Sequence, residues 1–327
     1  MYSLKHYWAY CTPVRTSSSF ERQPVSAPTE ILEVRSIPYE YLVWRYRFAL
    51  PFMLALATFA QFKKSTCSAL GYKPRYNCLL GDGISVNGQR VRDGAARWPA
   101  LDAIYNFTKG EGSFAVLRAA DKWWMTIRNA QAVRNRLKIA KEEFAAAIKG
   151  MASPDRTICI LSLASGTAQG IIEVMQECKR EGINVTAVLV DHDETALQYA
   201  RELARKNGVE GQIETKQYNV LFFDRVSNVQ PDIVEMMGIV DYLTDQLAIT
   251  LFKKVWRSLK PNGFLFACHV HPNSESYFLR HVINWAMTYR TKHEFENLLI
   301  AGKFSNPRLI TEPHGIHSVA VARRASN

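Results

Sequence analysis

Two short runs carry the clearest chemistry in this chain. Ser162-Leu163-Ala164-Ser165-Gly166-Thr167-Ala168-Gln169-Gly170 is rich in small residues, and Val188-Leu189-Val190-Asp191-His192-Asp193 ends an apolar stretch on an acid. Small side chains let a backbone turn close against a ligand, and a carboxylate at a strand end can accept two hydrogen bonds from the hydroxyls of a ribose. With the turn residues Ser162, Ala164, Ser165, Gly166 and Thr167 set beside Asp191 and His192, the pair reads as a nucleotide cradle.

A second group could act on whatever the cradle's ligand meets. His269 and His271 stand at the end of the apolar run Phe264 to Val270, where an imidazole could accept a proton at neutral pH. An acceptor with a carboxylate would instead need a cation to hold it, and Arg290, Arg280, Arg128 and Arg134 are candidates because guanidinium pairs bidentately with carboxylate. Tyr242, Trp285 and Tyr289, with Trp123 and Trp124, could wall an apolar pocket, although each could equally be ordinary packing.

These residues need a scaffold that gathers strand ends. After Pro154 apolar strands alternate with helices, the pattern of a parallel sheet wrapped by crossover helices. We expect strands at Ile158–Ala164, Val185–Val190, Ile213–Gln217, Asp232–Met237 and Phe264–Val270, with helices Ile171–Glu181, Glu194–Asn207 and Asp245–Leu259 between them. Helices Ser274–Tyr289 and Lys292–Ala301 follow, and Arg308–Thr311 with Ile316–Ala322 should close an antiparallel edge. Upstream, residues 1–30 are expected to form a disordered tail and 31–150 a mainly helical cap. Trp98, Leu101, Ile104 and Tyr105 mark one helical run, and Ala130, Val133, Leu137 and Ala140 another. Gly81-Asp82-Gly83 and Asn87-Gly88 are turn signals that predict a small strand pair around Ile84 to Val91.

From Thr157 to Arg324 the chain resembles the class I S-adenosylmethionine-dependent methyltransferases. Their acid-x-Gly-x-Gly-x-Gly turn falls on Ser162, Ala164, Gly166 and Ala168, so a serine replaces the acid and alanines replace two glycines. The Leu259 to Phe266 segment, with its Lys-Pro-Asn-Gly-Phe turn, is similar to theirs, and no full Gly-x-Gly-x-x-Gly dinucleotide motif is present. The resemblance implies a Rossmann-like, doubly wound, mostly parallel seven-stranded α/β sheet over residues 151–327, with S-adenosyl-L-methionine as cofactor. It implies that Asn219, with Val220, meets the adenine, and that Met237 and Gly238 pass under the methyl group. The stretches Asn129 to Arg136 and His269 to Thr291 also resemble a bacterial methyltransferase group that includes enzymes making methyl esters of 3-hydroxy fatty acids. That likeness implies a small-molecule acceptor such as a fatty acid or another carboxylate.

Composition bounds the alternatives. With 47% hydrophobic and 22% charged residues the chain should fold rather than stay disordered. A formal charge of +11 favours anionic partners, which keeps a nucleic-acid methyltransferase, a peripheral membrane contact and a non-catalytic cofactor-binding protein in view. The fourth strand does not lead into an Asn/Asp-Pro-Pro-aromatic motif, and no RNA-binding module is recognisable, so nucleic acid is the less favoured acceptor. Between Leu117 and Gly150 eight basic residues stand against three acids, Arg136 among them, a pattern read as a solvated helix face. Six scattered cysteines signal neither a disulfide framework nor a metal site, and suggest the cytoplasm. Phe48 to Phe62 is uncharged but short of the ~20 residues that span a bilayer, and reads as a buried or interfacial helix.

Overall fold

The computed structural model describes residues 44–225 and 230–326; the expected tail at 1–30 lies outside them. Seven strands form one sheet: β1 (Ile158–Leu163), β2 (Val185–Asp191), β3 (Ile213–Gln217), β4 (Ile233–Met236), β5 (Phe264–Val270), β6 (Arg308–Thr311) and β7 (His317–Arg323). Their order is β3-β2-β1-β4-β5-β7-β6, with β7 antiparallel to both neighbours and the rest parallel. The chain moves outward from β1 to β3, then restarts beside β1 at β4. That reversal opens a crevice at the carboxyl ends of β1 and β4, where doubly wound sheets bind ligands.

Periodicity placed the central strands because β1, β2, β4 and β5 are buried on both faces. Leu161, Leu163, Val234 and Leu265 point into one core layer, and Ile158, Ile160, Ile233 and Phe266 into the other. A parallel sheet covered on both sides reads as continuous apolar runs, and those runs are what the sequence shows.

The helices before the sheet are α1 (Trp44–Ala69), α2 (Val86–Asp93), α3 (Trp98–Tyr105), α4 (Ala115–Trp124) and α5 (Arg128–Met151). Those around it are α6 (Gln169–Arg180), α7 (Glu194–Lys206), α8 (Asp245–Ser258), α9 (Ser276–His281) and α10 (Lys292–Ala301). Within α1, Met53, Leu56, Ala57 and Ala60 are buried while Phe52, Phe59 and Phe62 face outward. No helix among the described residues is long and apolar enough to cross a membrane.

Two expectations are corrected. The strand pair around Ile84 to Val91 is instead helix α2, because Asn87-Gly88 falls in a capped first turn rather than between strands. Ser85 Oγ accepts the Gly88 N–H at 2.8 Å, and the fully buried Asp121 accepts from Ser85 Oγ at 2.7 Å and from the Asn87 N–H at 2.8 Å. The helix expected over Ser274–Tyr289 stops at His281, and Asn284 takes a left-handed φ of 63°. The chain beyond runs without helix, pinned by Thr288 N–H to the Asp241 carbonyl at 2.8 Å. Trp285 and Met287 are thereby turned toward the cap.

Candidate active site

The turn leaving β1 is tight for a reason legible in its dihedrals. Ala164, Gly166 and Ala168 all adopt left-handed backbone, with φ of 53°, 53° and 50°. Left-handed conformation costs an L-residue roughly 1–2 kcal/mol, so two alanines are held here against their preference. Ser165 N–H reaches the Val190 carbonyl at 3.2 Å, Gly166 N–H reaches Asp191 Oδ2 at 2.8 Å, and Ala168 N–H reaches the Ser165 carbonyl at 2.8 Å. Thus β2 grips the turn directly.

Asp191 is buried at the end of β2, and its other oxygen accepts the Asp193 N–H at 2.9 Å. His192 Nδ1 lies 3.2 Å from that same oxygen, a contact that raises the imidazole above its usual range. Ser165 Oγ is buried without a hydrogen-bond partner, an open donor and acceptor inside the turn. Helix α3 lies across this edge: Trp98 Nε1 donates to Thr195 Oγ1 at 3.0 Å, and Arg97 pairs with Asp193 at 3.3 Å.

The remaining cradle residues sit at the ends of β3 and β4. Asn219 Oδ1 accepts the Leu221 N–H at 2.9 Å, so its side chain turns the chain, and Val220 is buried beside it. After β4, Met237 N–H donates to Glu235 at 3.0 Å, and Gly238 follows with nothing within 4 Å of where a Cβ would stand. Ser162, expected where an acid usually stands, donates its hydroxyl to the carboxylate of Glu235 instead.

Gly238 also opens onto a cavity of about 70 Å³, several times the ~10–15 Å³ that one water needs. The cap supplies most of its wall, through Val91, Leu101, Ile104, Trp124 and Val133, and the segment after β5 adds Phe278, Trp285 and Met287. Tyr242 lines it too, its hydroxyl accepting from Trp285 Nε1 at 2.6 Å. Of the expected aromatic wall, Trp124, Tyr242 and Trp285 belong to the lining; Trp123 packs edge-on against Trp124, and Tyr289 packs in a separate cluster.

The polar floor is the part that sequence reasoning missed. Arg136 lines the cavity with only 4% of its surface exposed, and it forms no ion pair with any carboxylate among the described residues. Among the described residues its guanidinium hydrogen-bonds Tyr105 Oη at 3.4 Å and Cys268 Sγ at 3.9 Å and its Nε has no partner; burial disfavours its charge, while Asp241 on the same floor favours it. Asp241 and His317 share the floor. Burial by itself would raise the Asp241 carboxyl, but His269, whose Nδ1 lies 2.8 Å away, together with the charge of Arg136, pulls it down to about 2. Burial, with Arg136 adding to it, drives the His317 imidazole well below its normal range, so it stays neutral. Arg136 stands three residues after Val133 on α5, beside the stripe of Ala130, Val133, Leu137 and Ala140, and that spacing alone does not set it apart from Arg134.

The structure does not bring the other cation candidates to this cavity. Arg290 is buried but committed to Asp245 at 2.8 Å and to the carbonyls of Val240 and Leu243. Arg134 donates to the Met125 carbonyl at 3.0 Å, Arg128 donates to that of His314 at 3.0 Å, and Arg280 is exposed. His271 has both ring nitrogens engaged, with the Arg290 carbonyl at 2.8 Å and Ser318 Oγ at 2.7 Å, and burial lowers its pKa. His269 is fully buried behind Asp241.

Comparison with known proteins agrees with this architecture. A structure of a "possible exported protein" from Bordetella parapertussis superposes with a TM-score of 0.64 at 18% identity, covering 88% of this chain and all of that one. Magnesium protoporphyrin IX methyltransferase from Synechocystis, solved with bound SAH, gives 0.50 at 11% identity over 73% of this chain and all of its own. The CMeT domain of the citrinin polyketide synthase gives 0.50 at 13% identity over 76% of this chain and 68% of that one. At such identities these likenesses concern the fold, which is the Rossmann-like α/β class. No curated protein matches the sequence. A family model described as "Putative methyltransferase" matches residues 61–324, most of the chain, including the cap from residue 61 onward. The chain therefore belongs to that methyltransferase family.

Proposed function

We propose that this enzyme transfers a methyl group from S-adenosyl-L-methionine to the carboxylate of a small amphipathic acceptor, a hydroxy fatty acid or a related metabolite. One observation carries the reading: a buried guanidinium with no carboxylate in contact among the described residues, Arg136, in the floor of an apolar cavity that begins at Gly238. Asp241 on the same floor compensates this charge without contacting it, and the guanidinium's unpartnered Nε leaves a donor for a ligand anion to complete.

The residues fit the cofactor. Asp191 offers a carboxylate to ribose hydroxyls, Ser165 Oγ is free to bond inside the turn, and the open face of Gly238 admits a sulfonium without a clash. When bound, the cofactor supplies a methyl on a cationic sulfur, which leaves neutral with the bond's electron pair as an acceptor oxygen takes the methyl.

The chain's own part is positioning. Arg136 holds the acceptor's carboxylate, which is already ionised at neutral pH and needs no base. His271, with both nitrogens engaged, has none to offer a hydroxyl or amine nucleophile. The apolar cap walls exclude water and align oxygen, carbon and sulfur, the main lever available for an in-line displacement. The exposed Phe52, Phe59 and Phe62 on α1 suit contact with a membrane surface that holds such amphiphiles, and the free state of all five described cysteines suits the cytoplasm.

Incubation with methyl-labelled S-adenosylmethionine plus either a hydroxy fatty acid panel or an RNA extract tests this. We expect base-labile label in the lipid fraction, lost in R136M. Label in RNA, or in neither fraction, overturns the reading.

A further inference from the structure

The methionine half of the cofactor proposed above carries an ammonium that needs an anion, and β1 offers only Ser162 at the place closest to the turn. Across the sheet Ser162 is in register with Glu235 of β4, so the two side chains stand on one face about one strand spacing apart, ~4.8 Å between backbones. The hydroxyl of Ser162 donates to one carboxylate oxygen of Glu235, and the Met237 N–H donates to the other at 3.0 Å. Glu235 is buried and forms no ion pair among the described residues. Burial pushes its carboxyl up to about 7, even though Ser162, the Met237 N–H and the charge of Arg136 all pull the other way. What this group lacks is a cation in contact.

The strand order decides which cation it can meet. Asp191, on β2, flanks the turn on one side, and Glu235, on β4, flanks it on the other. A ligand with its ribose at Asp191 and its sulfur at Gly238 crosses β1 and lays its amino-acid end beside the β1–β4 seam. We propose that Glu235, positioned by Ser162, supplies from β4 the carboxylate that binds the ammonium of the cofactor's methionine half. The acid has moved one strand sideways, and the serine that replaced it now orients the substitute. This inference rests on S-adenosylmethionine being the cofactor.

Calorimetric titration with S-adenosylhomocysteine and with 5′-methylthioadenosine, which keeps the nucleoside and lacks the amino-acid end, separates the possibilities. E235Q should weaken S-adenosylhomocysteine at least tenfold and leave 5′-methylthioadenosine within twofold. Loss of both ligands from a folded E235Q, or of neither, overturns the assignment. If E235Q does not fold, the unaltered protein decides: N-acetyl-S-adenosylhomocysteine, whose ammonium has become a neutral amide, should bind at least tenfold more weakly than the parent, and equal affinity overturns the assignment. Unaltered protein that binds neither parent ligand overturns the cofactor reading itself, and this one with it.

Discussion

The carboxylate of Asp191 accepts the backbone N–H of Gly166 at 2.8 Å, so the acid that closes β2 also holds the turn that leaves β1. Asp191→Ala should weaken S-adenosylmethionine binding by at least tenfold, about 1.4 kcal/mol, while the sheet stays folded. Asp191→Asn, whose amide oxygen can still accept from Gly166, should lose less. Calorimetric titration of both variants checks the order, and affinity unchanged in Asp191→Ala would remove the residue from the site.

Ala164 occupies left-handed backbone at φ 53°. A β-branched side chain is a steric outlier there, so Ala164→Val should destabilise by about 2 kcal/mol or more, whereas Ala164→Gly should be neutral or stabilising by up to about 1 kcal/mol. Thermal melts of the two variants should move apart. Equal melting temperatures would mean that the turn is not held as described.

Arg136 separates function from stability. Replacing the buried guanidinium by an apolar side chain of similar length removes a desolvated charge but also a cation that favours the buried Asp241 carboxylate, so Arg136→Met should change unfolding free energy by no more than about 2 kcal/mol in either direction. Methyl transfer to a carboxylate acceptor should meanwhile fall by about 100-fold or more. Denaturant titration beside turnover reads both, and a variant that is severely destabilised would show that Arg136 is a structural prop.

Glu235 gives the fold a pH dependence of definite sign. Its carboxyl titrates near 7 when folded, against an ordinary value of 4.5, so the folded state holds the proton more tightly between those limits. Stability from this group is fully present below about pH 4.5 and is lost as pH rises toward 7, by on the order of 3 kcal/mol. Asp241 acts oppositely and lower: with its carboxyl held near 2, its contribution disappears only as pH falls below about 4. Denaturant melts of Glu235→Gln between pH 4.5 and 7.5 should lack the falling slope of the parent protein. A slope that persists in the variant would assign it elsewhere.

Gly238 faces open space, so Gly238→Ala should fold normally. Its added methyl would stand between the cofactor crevice and the acceptor cavity and should reduce turnover several-fold with little change in melting temperature. Full activity in this variant would place the methyl's path elsewhere.

What could be read along the chain was what depends on neighbours in sequence. The strands β1, β2, β4 and β5 and the helices around them announce themselves because each buries a continuous or periodic apolar face, and β3, β5, β6 and α10 fall where the sequence pattern put them. The turn after β1 and the acid after β2 are local signals too, and even the alanines at 164 and 168 stand where the backbone turns left-handed. Asn87-Gly88 misled because a two-residue turn signal also fits a capped helical turn, and the carboxylate that settles the matter, Asp121, lies far along the chain. Only tertiary structure could choose among the arginines. Arg134 and Arg136 are two residues apart on one helix, yet one spends its donors on backbone carbonyls while the other faces a cavity. Glu235 could likewise be paired with Ser162 only once β4 lay beside β1. A site's chemistry depends on which charges burial leaves uncompensated, and burial is a property of the packed chain rather than of any stretch of it.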